Sequence, residues 1–325
     1  MAPLFSRQDL EDAASLVHRQ MPPTPQYAWP LLARRAGCTV WLKHENHTPT
    51  GAFKVRGGIV YVDDLARAAP DAHLVTATRG NHGQSLPFAA RPHGIAVTVY
   101  APIGNSAEKN RAMEAWGAHL ILHGKDFDSA RQEAERVAAA DSAHLVPSFH
   151  PLLVRGVATY ALELFTGVPD LDVVYVPIGM GSGISGLITV RDLLGLKTEI
   201  VGVVSSAADA YARSLEEGRV VTTESASTFA DGMACRVPDE AALEVVRAGA
   251  ARVLRVTDDE VAAAVRAIYE DTHNVAEGAG AAAFAGLMQE RDRLAGRQAA
   301  AILCGGNIDA DWFAAILRGE TPHPR

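Results

Sequence analysis

The chain has 325 residues, 48% hydrophobic and 21% charged, enough apolar material for two buried cores but with no run approaching the roughly 20 apolar residues of a membrane helix. A formal charge of -8 and an aromatic content of 6% leave neither a basic stripe nor a platform for stacking bases, which argues against nucleic acid and an anionic membrane as partners. Asp9, Glu11 and Asp12 stand where a secretory leader would be apolar, so a cytoplasmic protein is expected.

In chain order, Ser6 ahead of Leu10, Ala13, Ala14 and Val17 predicts a capped helix over residues 6–19. A proline-rich connector at 21–25 leads to a short strand at 39–43. Then comes His44-Glu45-Asn46-His47-Thr48-Pro49-Thr50-Gly51-Ala52-Phe53-Lys54-Val55-Arg56-Gly57-Gly58, where a turn-forming segment passes into an apolar helical pattern and leaves Lys54 at the junction. Strands are predicted at 74–78, 95–100 and 119–122, alternating with helices at 85–90, 107–116 and 128–140. The second half repeats the theme: strands at 173–177, 199–204 and 299–303, helices at 184–194, 258–272 and 279–289. Such alternation with short connections specifies an α/β chain of two doubly wound open-sheet domains, with a ligand crevice between them at the carboxyl ends of the strands. Residues 1–54 and 149–325 are expected to form the larger domain and 55–148 a small mobile one.

Several segments carry candidate chemistry. Gly179-Met180-Gly181-Ser182-Gly183 joins a strand to a helix, so its backbone N–H groups and the positive helix end can hold a phosphate. It matches neither the GxxxxGK[ST] loop nor the full GxGxxG spacing, because Val203-Val204-Ser205 stands where a dinucleotide site needs an acid. Arg79-Gly80-Asn81-His82-Gly83-Gln84 follows another strand, and its amides can hold a carboxylate. Cys304-Gly305-Gly306-Asn307 puts a thiol at a third strand end. Cys38, Cys235 and Cys304 are too scattered for a disulfide framework or a zinc site, and His144 and His150 do not amount to a metal centre.

Together these motifs resemble the pyridoxal phosphate enzymes of the serine/threonine dehydratase and serine racemase family. The resemblance runs over about residues 20–310 and implies the tryptophan synthase beta-like, fold type II architecture, with pyridoxal 5'-phosphate in the interdomain crevice. By this likeness Lys54 forms the imine with the cofactor aldehyde and Phe53 packs beside it. Asn81 donates to the phenolic oxygen, and Gly179, Met180, Gly181, Ser182 and Gly183 are the phosphate loop. Cys304 stands at the pyridine nitrogen and Glu277 near the ring, while Thr78, Arg79, Gly80, Asn81 and His82 meet the substrate. The resemblance implies a dehydratase, or ammonia-lyase, acting on a small amino acid: serine, threonine or a 3-substituted serine such as 3-phenylserine. It also implies a homodimer. The alternatives are a racemase or β-replacement synthase of the same fold, or a nucleotide- or ligand-binding module built on the glycine loop.

Three departures from the family pattern matter. Racemases of the family carry a serine where Arg79 stands, and a guanidinium is a poor general base, which disfavours racemisation. Arg79 is therefore assigned to the cofactor phosphate or to a carboxylate or aromatic group on the substrate's β carbon. The carboxylates that hold a divalent ion in some members fall at Val204 and Ala210, next to Asp209, so no metal is expected. Few residues follow Asn307, so a regulatory domain is not expected.

Overall fold

The computed structural model describes residues 3–324. Its strands are β1 (Gln26–Ala28), β2 (Thr39–His44), β3 (His73–Ala77), β4 (Ala96–Ala101), β5 (His119–Leu122), β6 (His144–Leu145), β7 (Val173–Pro177), β8 (Glu199–Ser205), β9 (Arg252–Val256) and β10 (Gln298–Leu303). They form two sheets, one in the order β1-β2-β10-β7-β8-β9 and one in the order β5-β4-β3-β6. All neighbours run parallel except β1, which pairs antiparallel with β2 at the edge of the larger sheet. Near-continuous apolar strands such as Val173–Pro177 suit a sheet covered by helices on both faces, and four of its five residues are buried.

The order of the larger sheet sets the surroundings of Lys54. Because β10 inserts between β2 and β7, the last strand ends level with the strand that precedes the lysine, Leu303 lying opposite His44. Two segments more than 200 residues apart in sequence thus emerge side by side at one carboxyl edge.

Helix Lys54–Ala68 carries the chain away from that edge and crosses helix Pro151–Gly167. The crossing is tight: a Cβ on Gly156 would stand 2.2 Å from the Arg56 carbonyl oxygen, and one on Gly57 would stand 2.8 Å from that of Leu153. Glycine on both helices therefore lets the backbones touch, and any larger residue would push the Lys54 helix off its seat. Helix Arg7–Gln20, with Ser6 and Asp9 forming a reciprocal capping box, adds Ala13 and Val17 to the core under the smaller sheet.

Candidate active site

Lys54 is the first residue of its helix, with Phe53 at the cap position. The preceding loop is stitched to the end of β10. Phe53 N donates to Cys304 O at 3.0 Å, Gly306 N donates to Gly51 O at 2.9 Å, and Ala52 bridges Gly305. The Lys54 ammonium nitrogen lies 5.0 Å from the centroid of the Phe53 ring. Loss of water lowers the amine's pKa from its usual range, against the opposing pull of Cys304 and Glu277.

Asn81 sits at the start of helix Asn81–Ala90, which follows β3. The residue pattern places Asn81 to Gln84 in a turn, but Gly80 ends the turn and the helix already begins at Asn81. Its amide is held from both sides: Nδ2 donates to Glu277 Oε1 at 2.7 Å, and Oδ1 accepts from Asn307 Nδ2 at 2.8 Å. Asn307 also donates to Thr50 O at 2.8 Å, closing a chain back to the lysine loop. Glu277 is buried at the start of helix Gly278–Gln289, and its Oε2 has no hydrogen-bond partner among the described residues. Burial pushes its carboxyl pKa up to about 7, with Asp231 adding to the rise and Lys109, Asn81 and Lys54 opposing it. The Cys304 thiol is buried and held well above its usual pKa by burial and by Glu277, so it stays protonated.

The glycine loop adjoins this group. Gly181 caps helix Ser182–Leu193 with φ +95°, a conformation glycine adopts without strain, and no side chain caps the helix start. Its first N–H groups have no capping side chain, an arrangement that can hold an anion. Met180 and Ser182 have no positive φ, so the side chains they carry are compatible with the loop. Tyr211 Oη donates to Met180 O at 2.9 Å and Tyr160 Oη to Gly183 O at 3.0 Å, fixing the loop from beneath. A Cβ on Gly183 would stand 3.9 Å from the Phe53 ring, so the loop and the lysine cap adjoin.

Thr78, Gly80 and His82 are buried around Asn81, and Thr78 Oγ1 accepts from Gly80 N at 3.1 Å. His82 Nε2 lacks a partner among the described residues, and burial together with the nearby Lys54 charge pushes its pKa down to about 3. Arg79 is half-buried; its carbonyl accepts from Asn105 Nδ2 at 3.1 Å, while its guanidinium forms no ion pair among the described residues. Val204 is buried in β8 and Ala210 opens a helix. Asp209 between them is committed to Arg213 at 2.8 Å and Arg255 at 3.0 Å. No group of three or more His, Cys, Asp or Glu side chains is arranged to hold a metal among the described residues.

Two features of the site have no motif in the sequence. Lys109, from the smaller sheet's side, reaches Asp231 Oδ2 at 2.5 Å, close to Glu277. Behind Lys54, the fully buried Arg56 binds Glu45 at 2.7 Å and Glu163 at 2.6 Å, while Lys43 binds Glu163 at 2.5 Å. A signal for the second exists, since Arg56 lies on the apolar side of the Lys54 helix, but its acids cannot be named without the fold.

Comparison with known proteins gives the family and the fold. The family model described as pyridoxal-phosphate dependent enzyme matches residues 17–305. An L-threonine ammonia-lyase of Thermotoga maritima is 30% identical over 97% of this chain and 78% of its own. An L-threo-3-hydroxyaspartate ammonia-lyase of Saccharomyces cerevisiae is 28% identical over 97% of both. The processed form of threonine deaminase isoform 2 from Solanum lycopersicum superposes with a TM-score of 0.90 at 27% identity, covering 96% of this chain and 92% of that one. No helix among the described residues is long and apolar enough to cross a membrane. The chain thus belongs to the pyridoxal-phosphate dependent enzymes, in the fold type II group of serine/threonine dehydratases and racemases, and is a pyridoxal 5'-phosphate-dependent lyase.

Proposed function

We propose that the chain is an ammonia-lyase that removes water from a β-hydroxy-α-amino acid, serine, threonine or a 3-substituted serine such as 3-phenylserine or 3-hydroxyaspartate. The observation that carries this reading is the convergence of Lys54, Asn81, Glu277, Cys304 and the uncapped loop 179–183 on one crevice edge. This donor set fits pyridoxal 5'-phosphate: an amine for the aldehyde, a row of N–H groups for the phosphate, an amide donor for the phenolic oxygen and a protonated thiol for the ring nitrogen. The orphaned Glu277 Oε2 and His82 Nε2 are the unpaired polar atoms that a ligand-binding site is expected to hold.

When bound, that group supplies the electron sink that makes the substrate's α C–H bond acidic. Lys54, its charge disfavoured by lost water, takes the α proton as general base. The loop 179–183 anchors the phosphate end, and Asn81, fixed by Glu277 and Asn307, orients the ring end. Cys304 stays a neutral thiol and cannot hold a charged ring nitrogen as a carboxylate would, which favours prompt loss of the β-hydroxyl. The enamine released from the site takes up water to give the 2-oxo acid and ammonia. Residues 55–148 act as the mobile cover.

Arg79 has no serine's ability to carry a proton on the face opposite Lys54, so the site works from one face. We assign it to the substituent on the β carbon, as an ion-pair partner or a stacking surface. A panel of β-hydroxy amino acids, assayed for 2-oxo acid and ammonia, tests the reading; no release from any of them would sink it. Arg79→Ser is expected to lower elimination of the best substrate by roughly tenfold or more, about 1.4 kcal/mol. Activity within about twofold of the parent would remove Arg79 from the mechanism.

A further inference from the structure

Asn307 ends the segment whose thiol meets the site, in the connection between β10 and helix Ala310–Leu317. Its Nδ2 uses both hydrogens, one on Thr50 O and one on Asn81 Oδ1, each at 2.8 Å. One amide thus joins three segments: the loop before Lys54, the end of β10 and the helix start that follows β3. The lysine loop is shaped to admit it. Gly51 has φ +69°, and a Cβ there would stand 2.5 Å from Asn307 Oδ1. Glycine meets both demands, the left-handed backbone and the close approach. Gly306 N donates to Gly51 O at 2.9 Å and keeps the two segments together.

The two ends of a carboxamide match in shape and differ in hydrogen bonding, so its orientation is set by whichever partner cannot change role. Thr50 O is such a partner, because a backbone carbonyl only accepts. Asn307 must therefore turn Nδ2 toward it. The second hydrogen of the same group then faces Asn81, which answers with Oδ1. That places Asn81 Nδ2 on the opposite side, with one hydrogen on Glu277 Oε1 at 2.7 Å and the other without a partner among the described residues. Glu277 cannot set this polarity by itself. A carboxyl pushed up to about 7 accepts when ionised and can donate when protonated, whereas the Thr50 carbonyl accepts at every pH.

We propose that Asn307 is a positioning residue: anchored on the Thr50 carbonyl, it fixes the Asn81 amide so that one N–H stays free for an acceptor oxygen in the crevice. The reversed Asn307 would set its own oxygen against those of Thr50 and Asn81, three acceptors with no hydrogen between them. The lysine loop and Asn81 are in this way oriented as one unit, although no hydrogen bond joins them directly among the described residues. That the acceptor is the phenolic oxygen of the cofactor rests on the function proposed above; the amide polarity does not.

Asn307→Asp tests the polarity, since it keeps the shape and replaces the donor with an acceptor. In the apoprotein it is expected to lower the urea unfolding midpoint, and to lower it less when Asn81→Ala has removed one of the oxygens it faces. Equal losses in the two backgrounds, or a parent-like midpoint for Asn307→Asp, overturn the inference, because a residue that only fills space tolerates its isostere. In the holoenzyme, Asn307→Asp and Asn307→Ala are each expected to weaken pyridoxal 5'-phosphate binding by about tenfold. Both should also move the pH midpoint of the bound cofactor's visible band in the direction in which Asn81→Ala moves it. With Asn81→Ala already present, neither should add more than about twofold. Full additivity there overturns the action through Asn81, even if activity falls. If Asn307→Ala does not fold, Asn307→Asp carries the same comparisons. A parent protein that gives no visible band with pyridoxal 5'-phosphate would sink the proposed function, and the apoprotein cycle would then decide the polarity alone.

Discussion

Two clusters of buried charge flank Lys54, and they are built in opposite ways. Behind it, Arg56 and Lys43 balance Glu45 and Glu163, with Thr24 and Thr159 taking further donors. Burial works against the Glu163 carboxylate, yet Arg56 and Lys43 win and hold its pKa down to about 2. In front, Glu277 keeps one oxygen without a partner among the described residues and sits near pKa 7, while the Lys54 amine is shifted down. The rear cluster is electrically closed and holds the lysine helix in place. The front one is open, which is what a site that exchanges protons and receives a charged ligand requires.

Breaking each cluster should therefore have a different signature. The largest effect is expected from Lys54→Ala, which should lower 2-oxo acid release by roughly 10³-fold or more and abolish the visible absorbance of the bound cofactor. The thermal midpoint of the apoprotein should barely change. Residual activity within about tenfold would make Lys54 a bystander.

Arg56→Met should act on stability instead, at about 3–5 kcal/mol in urea unfolding, because it leaves Glu45 and Glu163 buried without their cation. A loss under about 1 kcal/mol would mean that Lys43 alone can balance both acids. In the parent, the Glu163 contribution is present above the usual carboxylate range and fades as pH falls toward about 2.

Glu277 should contribute with the reverse pH dependence, which Glu277→Gln removes. A carboxyl whose pKa rises from 4.5 unfolded to about 7 folded favours the native state at low pH and loses that advantage as pH rises through this window. Between those limits the parent should lose on the order of 2–3 kcal/mol relative to the variant. Parallel stability curves would show that Glu277 is not held near neutrality. The smallest effect is expected from exhaustive chelation: with Asp209 committed to two arginines, turnover should stay within about twofold.

The elements legible in the sequence are those with a local signal. Strand Val173–Pro177 and helix Asp258–Thr272 fall where their periodicity and capping residues put them. Helix Pro151–Gly167 carries no such mark because it is apolar nearly all round: it runs between the cores of both sheets and has no polar stripe. Strand β9 is hidden by its arginines, Arg252 and Arg255, whose partners Glu199, Glu290, Asp209 and Glu216 lie on other elements.

The same division holds for the site. Lys54, Asn81, Cys304 and the loop 179–183 are legible because each stands at a junction, a turn into a helix for Lys54 and a strand end for the others, and that junction is written in neighbouring residues. Nothing local says that Asn81 and Glu277, 196 positions apart, share a hydrogen bond, or that Lys109 and Asp231, 122 apart, share a charge. Those pairings exist only once β10 has inserted beside β2 and Asn81 and segment 105–109 of the smaller sheet meet loops of the larger one. Local chemistry determined which groups could act; the tertiary structure decided which of them lose water and which gain a partner of opposite charge, and so which keep their charge.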